Sequence, residues 1–275
     1  MSMSIRTNVA SLNAQKNLTG TETMLNSSLS KLSSGFRITK AGDDAAGLGI
    51  SSNLSAQIRS YDQASRNAQD GISLVQTGEG ALNQTTNILT RLRELAMQSA
   101  SDGVGNTERG YIQNEVTALT SEIDRIGNAT EYNGTSLLNG VATTLTFQVG
   151  IRNNATNDRI TVTTISATAA ALAVSGLSLS SQASAQTALA TLDSAISRVS
   201  AARATFGAVG NRLQVVGETI ATASENLSAA NSRIRDVNVA EETSNMSRSQ
   251  ILMQAGVSVL AQANQLPQLA MKLLQ

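Results

Sequence analysis

Apolar residues recur along most of this chain at alternating steps of four and three, the spacing that keeps one face of a helix buried. In the first segment Leu18, Leu25, Leu29, Leu32 and Phe36 follow it, with Glu22 the one polar member. Gly35, Gly42 and Asp43-Asp44 then interrupt the stripe, and Asp43 or Asp44 is placed to cap a following helix. The stripe resumes through Leu54, Ile58, Tyr61, Ser65, Ala68, Ile72 and Val75. It shifts near Gly78 and continues with Leu82, Leu89, Leu92 and Ala96. A helix over residues 45–100 would be about 80 Å long at about 1.5 Å per residue, far beyond a globular helix.

The run from Ser101 to Asn106 is turn-rich, and a second helix follows with Ile112, Val116, Leu119, Ile123 and Ile126 in unbroken register. Asn133-Gly134 and Asn139-Gly140 mark turns. Period two takes over at Leu145, Phe147, Val149 and Ile151, and again at Ile160 and Val162 beyond the polar turn at Asn153–Asp158. That predicts one small β-hairpin. Residues 164–187 are weakly patterned and read mostly as loop.

The longest register runs through Leu192, Ile196, Val199, Arg203, Phe206, Gly210, Leu213, Gly217, Ile220, Ser224, Leu227, Asn231 and Ile234. Eight of the thirteen are large and apolar, which predicts a seam against other helices. Its small members imply close approach of a neighbour, and Arg203 must reach the seam's edge or find a carboxylate. Arg235–Asn238 breaks the pattern. A final helix carries Leu252, Val259, Ala263, Leu266, Ala270 and Leu273, with Val257, Leu260, Leu269, Met271 and Leu274 beside that stripe. Lys272 is its only charge after Arg248. So wide an apolar face with so little charge predicts a helix that is poorly ordered alone and folds when other copies cover it. Antiparallel pairing of the helices at 54–100 and 190–234 would bring both termini to one end of a rod and the hairpin near the other.

Composition narrows the chemistry. The 275 residues include no His, Cys or Trp and one Pro, and 2% are aromatic, so six rings serve the whole molecule. Without His or Cys the usual zinc, haem and iron–sulfur ligands and the Ser-His and Cys-His nucleophile pairs are missing. Asp43-Asp44 and Glu241-Glu242 are the only adjacent acid pairs, and neither sits in a calcium-type loop. No catalytic residue, metal site or cofactor is expected. Twenty basic side chains balance twenty acidic ones, which argues against nucleic acid or an anionic membrane as the main partner. No run approaches the roughly 18 apolar residues of a membrane span, so no membrane insertion is expected. Met1–Arg6 lacks the apolar core of a cleavable secretory signal, and absent Cys suits either a reducing cytosol, which needs no disulfides, or a chain that travels unfolded. Gly78-Glu79-Gly80 lies within a predicted helix rather than after a strand and is structural.

Both ends of the chain closely resemble bacterial flagellin. The amino-terminal likeness rests on Leu32-Ser33-Ser34-Gly35-Phe36-Arg37-Ile38, on Asp43-Asp44-Ala45-Ala46-Gly47 and on the string from Gln63 to Ser73. The carboxyl-terminal one rests on Ala230-Asn231-Ser232-Arg233-Ile234-Arg235-Asp236, on Glu242–Arg248 and on Ala255–Gln265. The resemblance covers roughly residues 5–140 and 188–275. It implies a mainly α chain, a long coiled-coil helical rod with flagellin-like inner domains and one small β-hairpin. Residues 1–44 with 235–275 would form the terminal coiled coil lining the filament's inner tube. Residues 45–140 with 186–234 would form the rod domain, and 141–185 would stand in place of the outer domains.

The function implied is that of a structural subunit, not an enzyme, self-assembling into a helical tube for swimming. The alternative is a hook–filament junction protein or a secreted flagellin-like interaction protein. Assembly is expected to use Leu25, Leu29, Leu32, Leu252, Val259, Leu260, Leu266 and Leu273. The resemblance further implies secretion through the flagellar export apparatus, with an export chaperone on the carboxyl-terminal helix. Filament cap and hook-junction proteins are the other implied partners. Arg91, Leu95 and Glu115 match residues by which many flagellins are sensed by the flagellin-specific Toll-like receptor. Leu92, Leu95 and Ala96 equally fit a packed helix stripe.

Overall fold

The computed structural model describes residues 7–141 and 143–272, with side chains described as far as 265 in the last helix. It contains α1 (Val9–Ser34), α2 (Ala45–Ser99), α3 (Asn106–Ala129), β1 (Glu131–Tyr132), β2 (Thr135–Ser136), β3 (Thr144–Gln148), β4 (Arg159–Thr163), α4 (Gln182–Arg235) and α5 (Val239–Lys272). The chain divides into a unit made of residues 1–56 and 226–275 and a second made of 57–225.

Helix boundaries follow local chemistry. Asn8 caps α1, its side-chain oxygen accepting from the Ser11 amide at 3.1 Å. Gly35 ends α1 in the left-handed conformation at φ +75°, its N–H bonded to the Lys31 carbonyl, a position where any side chain would be strained. Asp44 is the residue that caps α2, accepting from the Gly47 amide at 2.7 Å. At the far end of α2, the buried Arg109 guanidinium donates to the Ser99 and Ser101 carbonyls, both at 3.0 Å, and to the Asn106 side chain at 3.1 Å. A cation suits that place because helix carboxyl ends present unpaired carbonyls and partial negative charge.

The second unit owns a continuous core. Thirty-one buried residues from Ala64 to Ile220 form one cluster, to which α2, α3, β4, α4 and the segments between them contribute. Every position of the thirteen-residue α4 register is buried or half-buried, as the sequence predicts. Within this unit α2 and α4 run antiparallel, fixed by Arg93 to Asp193 at 2.7 Å and Ser224 to Asp62 at 3.3 Å. The expected register shift near Gly78 is absent: the buried row of α2 runs unbroken through Ala68, Gly71, Val75, Gly78, Leu82 and Thr85, and a Cβ at Gly78 would lie 2.7 Å from the ring of the fully buried Phe206. Arg203 meets its expected carboxylate only loosely, at 3.8 Å from Glu79.

Two further expectations change. The described residues hold two hairpins, not one, because Asn133 (φ +50°) and Gly134 (φ +75°) close a two-residue turn that pairs β1 with β2. The second hairpin pairs β3 with β4 from Thr144↔Thr163 to Gln148↔Arg159. The segment before Gln182 is loop, as the weak patterning predicts, but it is packed inward: Ala167, Ala169, Leu172, Val174 and Leu179 are buried. Gln113 holds its backbone, donating to the Leu177 carbonyl and accepting from the Leu179 amide. Helix α4 then begins at Gln182, earlier than the sequence pattern suggests.

Truncating Phe206 to Ala should destabilise this unit by about 3–5 kcal/mol, and Gly78→Ala by about 1–3 kcal/mol through overpacking against the same ring. Urea unfolding followed by circular dichroism measures both, and a wild-type midpoint in either variant contradicts the packing described.

Candidate assembly surface

In the first unit α1 and α5 pair antiparallel. Asn8 donates to the Ala263 carbonyl at 2.7 Å, Ser11 to the Asn264 side chain at 2.8 Å, and Leu18 packs onto Gly256. The inward positions of α1 are Ser11, Ala14, Leu18, Thr21, Leu25, Ser28 and Leu32, a strict alternation of three and four. Those of α5 are Met246, Ser249, Met253, Gly256, Leu260 and Ala263. Much of this seam is small, so the helices approach closely and bury little apolar area.

Leu18, Leu25, Leu32, Met246, Met253 and Leu260 share that seam, and the other large apolar side chains described on the two helices lie outside it. Leu252 is 50% exposed and Val259, one heptad on, is 55% exposed. Val9, Leu12, Met24, Ile251 and Val257 are also exposed. Ten of the fourteen exposed large apolar residues described belong to this unit, whereas of its described apolar side chains only Ala14, Leu25, Ile38 and Ala263 are buried. The expected assembly residues therefore separate into two groups. Leu25 (8% exposed), Leu32 and Leu260 lie in the internal seam, while Leu29 (46%), Leu252 and Val259 lie on its flanks. Leu273 and the Leu266 side chain fall outside the described residues.

At the base of the pair both chain passes break together. Phe36 and Asp236 form an antiparallel bridge, with Arg37 N–H to the Arg235 carbonyl at 2.6 Å and Val237 N–H to the Gly35 carbonyl at 3.0 Å. The Arg37 guanidinium donates to the Ile234 carbonyl at 2.6 Å, and Arg235 lies 4.2 Å over the Phe36 ring. Asn231 reaches Ser51 at 2.7 Å and Ser55 at 3.4 Å. Beside this clasp Asp43 accepts from the Thr39 amide, the Thr39 hydroxyl and the Lys40 amide, each at 2.9 Å. The Lys40 and Thr39 backbone bonds, then the Thr39 hydroxyl, hold its carboxyl below the ordinary range.

In the second unit Arg91 donates to Glu115 at 2.9 Å and to Glu94 at 3.1 Å, and these partners raise its pKa. All three side chains face solvent. Leu95 does not join them: it is 2% exposed and belongs to the core. Among the described residues no cluster of His, Cys, Asp and Glu could hold a metal, and no helix is long and apolar enough to cross a membrane.

Residues 5–143 match the family described as bacterial flagellin N-terminal helical region, and residues 189–274 its C-terminal helical region. A flagellin of Halalkalibacterium halodurans is 42% identical over 273 residues, spanning 99% of this chain and all of that one. Flagellin D of Vibrio cholerae is 50% identical over 153 residues, which cover 56% of this chain and 41% of that longer protein. The crystal structure of Bacillus cereus flagellin superposes with a TM-score of 0.51 at 34% identity, over 60% of this chain and 94% of that one.

The depressed Asp43 pKa means that stability from its ionised form is complete above the unfolded value and is lost as pH falls through the folded one. Protection of the Thr39 and Lys40 amides, taken relative to the unprotected exchange rate at each pH, should therefore fall below about pH 4, and Asp43→Ala should lack that step. A wild-type profile flat across the acid range contradicts the assignment.

Proposed function

Since both terminal regions and a full-length relative place this chain in the bacterial flagellin family, we propose that the flanks of α1 and α5 are where its copies join. The protein is a structural subunit of the flagellar filament, which polymerises with itself and is not an enzyme. The observation that carries the proposal is the half-exposed row of large apolar side chains on a helix pair whose own seam is small. Burying a Leu or Val side chain fully is worth about 1.5–3 kcal/mol, so partners are favoured wherever such rows can meet. Contacts between unlike patches give an open helical polymer where the rotation from copy to copy does not close into a ring.

On this reading residues 1–44 with 235–275 line the inner tube, α1 and α5 gaining order on polymerisation, residues 45–140 with 186–234 form the rod domain, and residues 141–185 stand in place of larger outer domains. Leu25, Leu32 and Leu260 set the helix pair, Leu29, Leu252 and Val259 make the contacts, and Leu266 and Leu273 extend the last helix's apolar face. The assembled product lies outside the cell after secretion through the flagellar export apparatus. The greasy flank of α5 is the part an export chaperone would cover, and cap and hook-junction proteins would meet the same helix pair at the ends of the polymer. Freed monomer would meet the Toll-like receptor through Arg91 and Glu115, which stand exposed on neighbouring helices, with Leu95 acting from beneath through packing.

Two experiments test these roles. The pair Leu252→Ser and Val259→Ser should leave monomer stability within about 0.5 kcal/mol and abolish seeded polymerisation watched by negative-stain microscopy. Normal filaments would remove the flank from the assembly contacts. In a receptor reporter assay Arg91→Ala and Leu95→Ala monomers should both signal less, Leu95→Ala also losing about 2–5 kcal/mol of stability; an undiminished response from both removes receptor recognition.

A further inference from the structure

The second unit holds an open cavity of about 510 Å³ between α2 and the two hairpins, lined by Asp70, Leu74, Tyr132, Thr135, Leu145 and Phe147 among others. Phe147 rests on Gly71, where a Cβ would lie 3.3 Å from the ring, and Asn67 donates to the Gln148 carbonyl at 2.8 Å. Two of the chain's six aromatic rings line this one cavity. The Asp70 carboxylate at its edge has no hydrogen-bond or ion-pair partner among the described residues. A carboxylate beside two aromatic rings favours a planar cation, which can stack on a ring while its N–H groups meet the carboxylate.

The chain itself supplies that cation. Between residues 57 and 225 every basic side chain is an arginine. Most are engaged within the unit, by carboxylates, by Gln63 or by backbone carbonyls. The guanidinium groups of Arg59, Arg152 and Arg212 have no partner among the described residues. Resting on the filament reading, which surrounds each subunit with other copies, we propose that this cavity is a socket for an arginine of a second copy, drawn from those three. The pairing fixes which patches of neighbouring subunits meet, since an unmatched guanidinium or carboxylate at a contact is unfavourable.

Seeded elongation of the full chain, followed by sedimentation with wild type alongside, tests this. Asp70→Arg should slow elongation at least about tenfold through like-charge repulsion with an unchanged urea midpoint, and Asp70→Asn, which keeps the side chain's shape, should also slow it. Combining Asp70→Arg with Arg59→Asp, Arg152→Asp or Arg212→Asp should restore elongation in one combination. Wild-type elongation rates for Asp70→Arg and Asp70→Asn, or a slow Asp70→Arg that no combination rescues, would overturn the socket. Should Asp70→Arg fail to fold, elongation by Asp70→Asn decides, slow supporting the socket and wild-type overturning it. Wild-type protein that does not elongate on seeds would overturn the filament reading and the socket with it, so the two failures are told apart by the control.

Discussion

Helices α1 and α5 touch through Ala, Ser, Thr and Gly as much as through Leu, and that choice of contact residue governs the rest of the molecule. Small side chains let two backbones come close, but they remove little apolar surface from water, and burial scales with area. The large side chains that could have made a core, among them Leu252, Val259, Ile251 and Val257, are displaced to the outside of the pair. A helix pair built in this way is cohesive in geometry and incomplete in energy. It is held by caps, by the Asn8 and Ser11 hydrogen bonds and by the clasp at Phe36 and Asp236, none of which substitutes for apolar burial. The missing burial is available from other copies of the same chain, and a subunit of the flagellar filament has those copies on every side.

The second unit shows what completion looks like. Phe206 fills the notch at Gly78, Leu82, Leu89 and Leu92 are fully buried, and even the irregular segment before α4 turns its Ala, Leu and Val side chains inward. Its surface is polar, with arginines paired to Glu94, Glu115, Glu122 and Asp193. Exposed pairs of this kind contribute little to stability, but they do fix the polarity of the faces that neighbouring copies must match. One unit therefore supplies stability to the single chain, and the proposed assembly surface lies on the other.

Helix existence was legible from periodicity because a four-three stripe over many turns has few alternatives, and the α2, α3 and α4 stripes all face inward. The register of α5 was not. Leu252 and Val259 share the heptad spacing of a buried stripe, but the true seam runs through Ser249, Gly256, Leu260 and Ala263. Periodicity identifies an apolar face without saying which partner covers it, and here the partner inside the chain takes the small face. The first hairpin was hidden for another reason: strands of two residues leave no alternation, and only the Asn133-Gly134 turn announced them. Arg91 and Glu115 were found as a pair only through family likeness. Their proximity depends on the antiparallel return of α3 along α2, and the burial of Leu95 beside them could be settled only by that packing.

Amide hydrogen exchange, compared between dilute monomer and assembled filament, bears most directly on the claim that the terminal helix pair is finished by its neighbours. Amides of α1 and α5 should exchange quickly in the monomer and become strongly protected in the filament, while those of α2–α4 within residues 57–225 are protected in both. Terminal helices as well protected in the monomer as in the filament would contradict the account.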